Sequence, residues 1–250
     1  MDRTPSGLLV SVRSASEGVV AVLGGASVVD LKEPLRGPLG RADAAVWRET
    51  RRAVPAAIPM SVALGEIADW NDRIDLAEIK RSLYNINYIK IGFARTGSDW
   101  RTRWREVRKA VSAGRRWVAA IYVDHERAES PHPDEIVAEA IALDECVGVL
   151  FDTWAKGVRD GTAIDISWKP TIDAIRSSGR FIALAGGLDD RAIGGLASLR
   201  PDLFAVRGAA CRGGDRIREI ELDRVVKLAR ASRIALDNDD ERTRFKRVVL

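Results

Sequence analysis

The chain has 250 residues, 46% of them apolar and 30% charged, a balance that fits a soluble globular protein and excludes a disordered or fibrous one. Its net charge is +4, but basic and acidic residues alternate along the whole length, which points to a solvated mixed surface and away from a nucleic-acid partner. No apolar run approaches the roughly 20 residues of a membrane span, and the opening "MDRTPSG" lacks the apolar stretch of a signal peptide, so a cytoplasmic protein with no membrane partner is expected.

Eight β-rich runs follow one another, each trailed by a segment of helical pattern. In chain order they are "LLVSVRS" (8–14), "SVVDLK" (27–32), "IPMSVAL" (58–64), "YIKIGF" (88–93), "WVAAIYVD" (117–124), "VGVLFDT" (147–153), "FIALAGG" (181–187) and "LFAVRGAA" (203–210). Their near-continuous apolar character suits parallel strands covered on both faces. The intervening segments, such as "SDWRTRWREVRKAVSAG" and "DEIVAEAIALDE", place apolar residues at helical spacing, with Ser or Asp near the start and Gly near the end. Eight such units predict an α/β fold, a single (β/α)8 TIM barrel over residues 1–236. A doubly wound open sheet is the alternative, but "RSASEGV" after the first run carries no glycine-rich dinucleotide fingerprint. The segment 237–250, "DNDDERTRFKRVVL", departs from the repeat and reads as a tail or an oligomer contact. Barrels commonly associate, so a homo-oligomer is expected.

In a barrel of this kind the chemistry sits at the C-terminal ends of the strands. That rim holds Ser11 and Arg13, Asp30 and Lys32, Gly65 and Glu66, Lys90, Asp124 and His125, and Asp152 with Lys156 just beyond. It also holds the pair Gly186 and Gly187, and Arg207 followed by Gly208, Arg212, Gly213, Gly214 and Arg216. The chain has 8 lysines against 32 arginines, and three of those lysines lie on or beside the rim. Lysine is the informative choice there, because it can lose its proton and act as an amine nucleophile, which arginine cannot. Alternation along a strand puts Asp30 and Lys32 on one face. Lys90, set among apolar residues, avoids a desolvation penalty only if it is paired or functional.

Each residue also has a plainer explanation. Asp30 and Lys32 fit a structural ion pair, Asp152 a cap for the next segment, Asp124 a loop carboxylate, His125 a surface histidine. Cys146 and Cys211 are too few for a disulfide framework and show no metal-ligand spacing with His125 and His132, so no metal is expected. As a set, however, the rim suggests imine chemistry. A lysine among other cations and away from water is partly neutral and attacks carbonyls, while nearby carboxylates move protons. The loops after the seventh and eighth strands are small and glycine-rich, a common place for phosphate in barrels, so Gly186, Gly187, Gly208, Gly213, Gly214 and Arg207 are candidate phosphate contacts. The expected partner is a small phosphorylated substrate.

"LLVSVRS", "VVDLKEPLRGPLG", "YIKIG", "FDTWAKG", "ALAGGL" and "VRGAACRGGDR" together resemble the archaeal-type (5-formylfuran-3-yl)methyl phosphate synthase family, also called 4-(hydroxymethyl)-2-furancarboxaldehyde phosphate synthase, over roughly residues 7–232. The resemblance implies a barrel enzyme that condenses two glyceraldehyde 3-phosphate molecules into a furan aldehyde phosphate for methanofuran-type carriers, with no metal and no cofactor. It implies Lys32 as the Schiff-base lysine, with Asp30, Lys90, Asp152 and Lys156 as further catalytic-site residues; Ser11, Arg13 and Asp124 are substrate-side candidates from their place on the rim. "ALGE" differs in having Glu66 where that family is expected to favour Asp.

Overall fold

The computed structural model describes residues 4–71, 73–111, 114–155 and 164–248, with side chains described as far as residue 237. Eight parallel strands close into a barrel in sequential order: β1 (Gly7–Val12), β2 (Val28–Leu31), β3 (Met60–Glu66), β4 (Tyr88–Gly92), β5 (Trp117–Tyr122), β6 (Cys146–Asp152), β7 (Phe181–Leu184) and β8 (Leu203–Val206). All eight predicted runs are strands, and the α/β barrel expected from their repetition is the fold. Around it stand α1 (Ala15–Leu23), α2 (Ala44–Ala53), α3 (Leu76–Ser82), α4 (Trp100–Val111), the short α5 (His125–Ala128), α6 (Pro133–Ala142), α7 (Lys169–Ser177), α8 (Asp190–Gly195) and α9 (Leu222–Val248). Helix starts follow local chemistry. Ser14, Asp75 and Asp189 accept hydrogen bonds from the backbone N–H groups of Glu17, Glu78 and Ala192, satisfying donors that have no intrahelical partner. The backbone of α9 runs on to Val248, so the segment from 237, set apart in the sequence, continues the last helix. No helix among the described residues is long and apolar enough to cross a membrane.

Alternation along the strands divides the apolar residues into two layers. Outward residues such as Val10, Val29, Val62, Ile91 and Ile182 pack beneath the helices against Trp47, Trp104, Ile136 and Ile175. Inward residues form a separate, smaller cluster that includes Leu9, Val28, Tyr88, Val118, Leu150, Phe181 and Leu203. The inner layer plugs the lower barrel, where the Tyr88 and Phe181 rings meet edge to face with centroids 5.4 Å apart. Above this plug, inward positions on β1 to β4 turn polar: Ser11, Asp30, Ser61 and Lys90 are all buried. Inward positions on β7 and β8 stay small and apolar, with Ala183, Ala185 and Ala205. The barrel interior therefore has one polar wall and one smooth wall, and the space between them opens at the C-terminal rim.

Removing the Phe181 ring takes away the floor under this space. Phe181→Ala is expected to destabilise the fold by about 3–5 kcal/mol, read as a fall of roughly 6 to 20 °C in Tm at 2–4 °C per kcal/mol for a chain of this size. Calorimetry on the purified variant checks the figure.

Candidate active site

Asp30 organises the polar wall. Its side chain has no solvent exposure, and a carboxylate so placed must be paired and hydrogen-bonded. The parallel register brings Ser11, Asp30 and Ser61 side by side on β1, β2 and β3. Asp30 Oδ2 accepts from Ser11 Oγ at 2.9 Å and Oδ1 from Ser61 Oγ at 2.6 Å. Lys90 Nζ, arriving from β4, lies 2.6 Å from Asp30 Oδ2. Asp30, for which the sequence also allows a structural ion pair with Lys32, is paired with Lys90, because those two inward side chains meet across the narrow barrel. It follows that the cation expected beside Lys32 comes with its own counter-charge.

Lys32, at the end of β2 and 8% exposed, lines a cavity of about 300 Å³ at the barrel mouth. Ser11, Lys90 and Asp152 share its walls, as do the Gly186 and Gly187 loop after β7 and the loop after β8, through Gly208, Gly214, Asp215 and Arg216. Asp152 is 1% exposed, and its Oδ1 accepts from the backbone N–H of Thr153 at 2.8 Å. Gly186 and Gly187 have φ of +97° and +79°, a left-handed pair that only glycine adopts without strain and that leaves the loop free of side chains on its way past the cavity. Arg216 donates to Gly37 O at 3.3 Å across the mouth. Burial holds its guanidinium below the ordinary arginine value, while Asp152 pulls the other way. A small space flanked by ammonium, guanidinium and carboxylate groups, with glycine loops beside it, suits an anionic carbonyl compound that must exchange protons.

Several residues expected around the substrate are engaged within the protein or stand elsewhere, Arg207 among the former although it lines the cavity. Arg207 is a phosphate candidate in sequence, yet its five N–H donors are all taken: Nε by Arg216 O, Nη1 by Ser11 O and Glu17 Oε2, Nη2 by Glu17 Oε1 and Arg218 O. It therefore builds the loop after β8 and has no donor left for a ligand. Arg13 is held by Glu33 at 3.0 Å and by Ile217 O at 2.7 Å, away from the cavity. Asp124 accepts from the backbone N–H groups of Trp154 and Ala155 at 2.7 and 2.9 Å, fixing the start of the loop after β6. Gly213 does not reach the cavity wall. Asp30 stands behind Lys90 and Ser11 and is not part of that wall either. Lys156 lies outside the described residues.

Two groups were not singled out from the sequence. Ser61 is legible in hindsight as a hydroxyl at an inward position of an apolar strand, the same signal as Ser11. Glu17 gives no such signal, since a carboxylate in the first turn of a helix reads as an ordinary favourable charge. Among the described residues no group of three or more His, Cys, Asp or Glu side chains is placed to hold a metal ion.

A family model described as 4-HFC-P synthase matches residues 8–229. The chain is 32% identical over 218 residues to a (5-formylfuran-3-yl)methyl phosphate synthase of Methanococcus maripaludis strain C6, covering 84% of this chain and 91% of the relative. It is 32% identical over 232 residues to the protein of that name in Methanosarcina mazei, covering 88% and 97%. Among solved structures, phosphoribosyl anthranilate isomerase from Thermus thermophilus superposes with a TM-score of 0.59 at 15% identity, over 90% of this chain and 97% of that one. KGPDC from Streptococcus mutans gives 0.61 at 10% identity, over 94% and 99%. At such identities these structures bear on the fold alone.

The clamp that shapes the loop after β8 is open to a stability test. Glu17→Ala and Arg207→Ala each strand a buried charge and are expected to lower stability by about 3–5 kcal/mol. The double variant is expected to lose clearly less than their sum, because the pair acts as one unit. Urea unfolding of the three variants reads both quantities.

Proposed function

Because the chain belongs to the 4-HFC-P synthase family, we propose that it condenses two molecules of glyceraldehyde 3-phosphate into 4-(hydroxymethyl)-2-furancarboxaldehyde phosphate through a Schiff base on Lys32. The observation that carries this reading is the company Lys32 keeps, one cavity shared with Lys90 and Asp152 and flanked by two glycine-rich loops.

The Lys32 amine adds to a triose carbonyl and expels water to give an imine. Loss of the neighbouring proton turns the imine into an enamine, whose carbon attacks the aldehyde of the second triose and forms the new carbon–carbon bond. Hydrolysis then returns the free lysine. Over the whole sequence one phosphate and two waters leave, which balances two trioses against one furan aldehyde phosphate with no oxidant or reductant. Lys90, held from behind by Asp30, keeps ammonium hydrogens for a substrate oxygen. Asp152 is the carboxylate on the cavity wall and the carrier of protons for the imine and enamine steps. Backbone N–H groups of the loops after β7 and β8, with Arg216, take the phosphate. Lys156 enters from the family motif. The product belongs to the making of methanofuran-type one-carbon carriers.

Incubating the metal-stripped protein with glyceraldehyde 3-phosphate is expected to yield a furan aldehyde phosphate by mass spectrometry together with an equivalent of inorganic phosphate. Borohydride added during turnover is expected to fix the triose on the peptide containing Lys32. Lys32→Arg keeps the charge without an imine-forming amine, and turnover should fall by roughly 10³-fold or more. Normal turnover in that variant sinks the imine. A six-carbon product without phosphate release points instead to a Schiff-base aldolase of phosphosugars.

A further inference from the structure

The mouth of the barrel holds another buried carboxylate that the chemistry above leaves unused. Glu66 ends β3 at 4% exposure. The register between β3 and β4 slips between Ala63 and Glu66, so that Glu66 pairs with Gly92 on the inner side of the ladder. Gly92 makes the room: a Cβ there would fall 2.1 Å from Glu66 Oε2. Within that space Oε1 accepts from the phenol of Tyr122 at 2.5 Å and Oε2 from the backbone N–H of Ala94 at 2.9 Å. Tyr122 is fully buried, and its strand partner in the ladder is Asp152, a residue of the cavity wall. Neither Glu66 nor Tyr122 reaches the cavity.

A neutral side chain would hold strands together at such a place without the desolvation penalty of a carboxylate. Here a bulge, a missing Cβ and two donors all serve a group that can carry a proton. We propose that Glu66 and Tyr122 form a buried proton-sharing pair that positions Asp152 electrostatically, so that the charge on Glu66 governs how readily Asp152 gives up its proton during the reaction. The proposal rests on the synthase reading for the reaction it serves, but not for the pair itself.

The groups facing the carboxylate fix the sign. Burial pushes the Glu66 carboxyl up to about 7, while the Tyr122 phenol and the Ala94 N–H pull it down. Asp69, in the turn after β3, adds to the rise, and Arg95, in the turn after β4, opposes it. Those two are paired with each other at 2.8 Å, so they nearly cancel. Burial raises the Tyr122 phenol above its usual range, helped by Glu66 and Asp152. Lys90 on β4 is paired with Asp30, and Lys32 closes the circle from β2 on the cavity side. Glu66 is therefore neutral below about pH 7 and anionic above it. In the anionic state it disfavours a second negative charge on Asp152.

The test follows Asp152 directly, by carboxyl ¹³C NMR of the full chain labelled at Asp and Glu. In the unaltered protein Glu66 is expected to titrate near pH 7. Tyr122→Phe removes a donor to the carboxylate and should move the Glu66 midpoint up. Glu66→Gln removes the charge, its amide satisfying both neighbours, and should abolish the step near pH 7 that Glu66 ionisation is expected to impose on the Asp152 resonance. In kinetics with glyceraldehyde 3-phosphate, the kcat profile of the unaltered enzyme is expected to show an ionisation near neutral pH that Glu66→Gln loses. An Asp152 titration that is the same in Glu66→Gln as in the unaltered protein overturns the proposal, and so does a Glu66→Gln profile superimposable on that of the unaltered enzyme. If the unaltered protein makes no furan, the synthase reading has failed, and the Asp152 titration alone then decides for or against the pair. Should Glu66→Gln not fold, the isosteric Tyr122→Phe carries the comparison.

Discussion

Asp30 and Lys90 are buried in the barrel interior, where each is tolerable only because the other is there. A carboxylate with no exposure and an ammonium with almost none stand 2.6 Å apart, and the two serine hydroxyls complete the carboxylate's bonding. Removing either charge leaves the other in a low-dielectric space at a penalty of about 3–5 kcal/mol. This constraint decides the layout of the site. It makes β1 to β4 the polar wall, it requires an apolar plug of Tyr88 and Phe181 beneath, and it fixes the height at which Lys90 meets the cavity. Lys32, one step nearer the rim, then stands above a surface that is already rigid and charge-balanced.

The same logic separates the arginines around the mouth. Arg207 has every N–H bonded within the protein, and the carbonyls it binds, those of Arg216 and Arg218, belong to the loop that borders the cavity. Its partner Glu17 also accepts from the Arg13 N–H at 2.7 Å, so one buried carboxylate ties β1, α1 and the loop after β8 together. Arg216, on the loop so fixed, donates to Gly37 O at 3.3 Å and borders the cavity. A saturated arginine is a structural part, whereas one with donors to give is a recognition part. The loop after β8 carries one of each side by side, and the placement of Arg216 depends on the Arg207 clamp beneath it.

Sequence periodicity made the barrel legible, because a strand covered on both faces has an unmistakable apolar run and the run recurs with helices between. It also made Asp30, Lys32, Lys90 and Asp152 stand out, since charges at the ends of such runs oppose the pattern around them. What it could not supply is pairing across the barrel. Alternation along one strand puts Asp30 and Lys32 on one face but says nothing about which strand faces which at a given height, so the pairing of Asp30 with Lys90 is not visible in it. For the same reason Arg207, buried in its own clamp, looked like a ligand for phosphate. Its donors go to Glu17 and to the carbonyls of Ser11, Arg216 and Arg218, partners that come from distant parts of the chain.

Three carboxylates on this inner surface differ in environment more than in chemistry. Asp30 has an ammonium and two hydroxyls and is fully engaged. Asp152 has a backbone N–H behind it and the cavity in front. Glu66 has only neutral donors, a phenol and a backbone amide, and burial outweighs them. A carboxylate held by neutral donors in a dry place is free to change charge near neutrality. The bulge at Gly65, with φ of +87°, is what turns the third group inward. Without that slip the Glu66 side chain would fall on the outer face of β3 under the helices, where a carboxylate has no partner of either kind. The irregularity in the strand is thus the local structure that creates the third environment, and it belongs to the working part of the barrel.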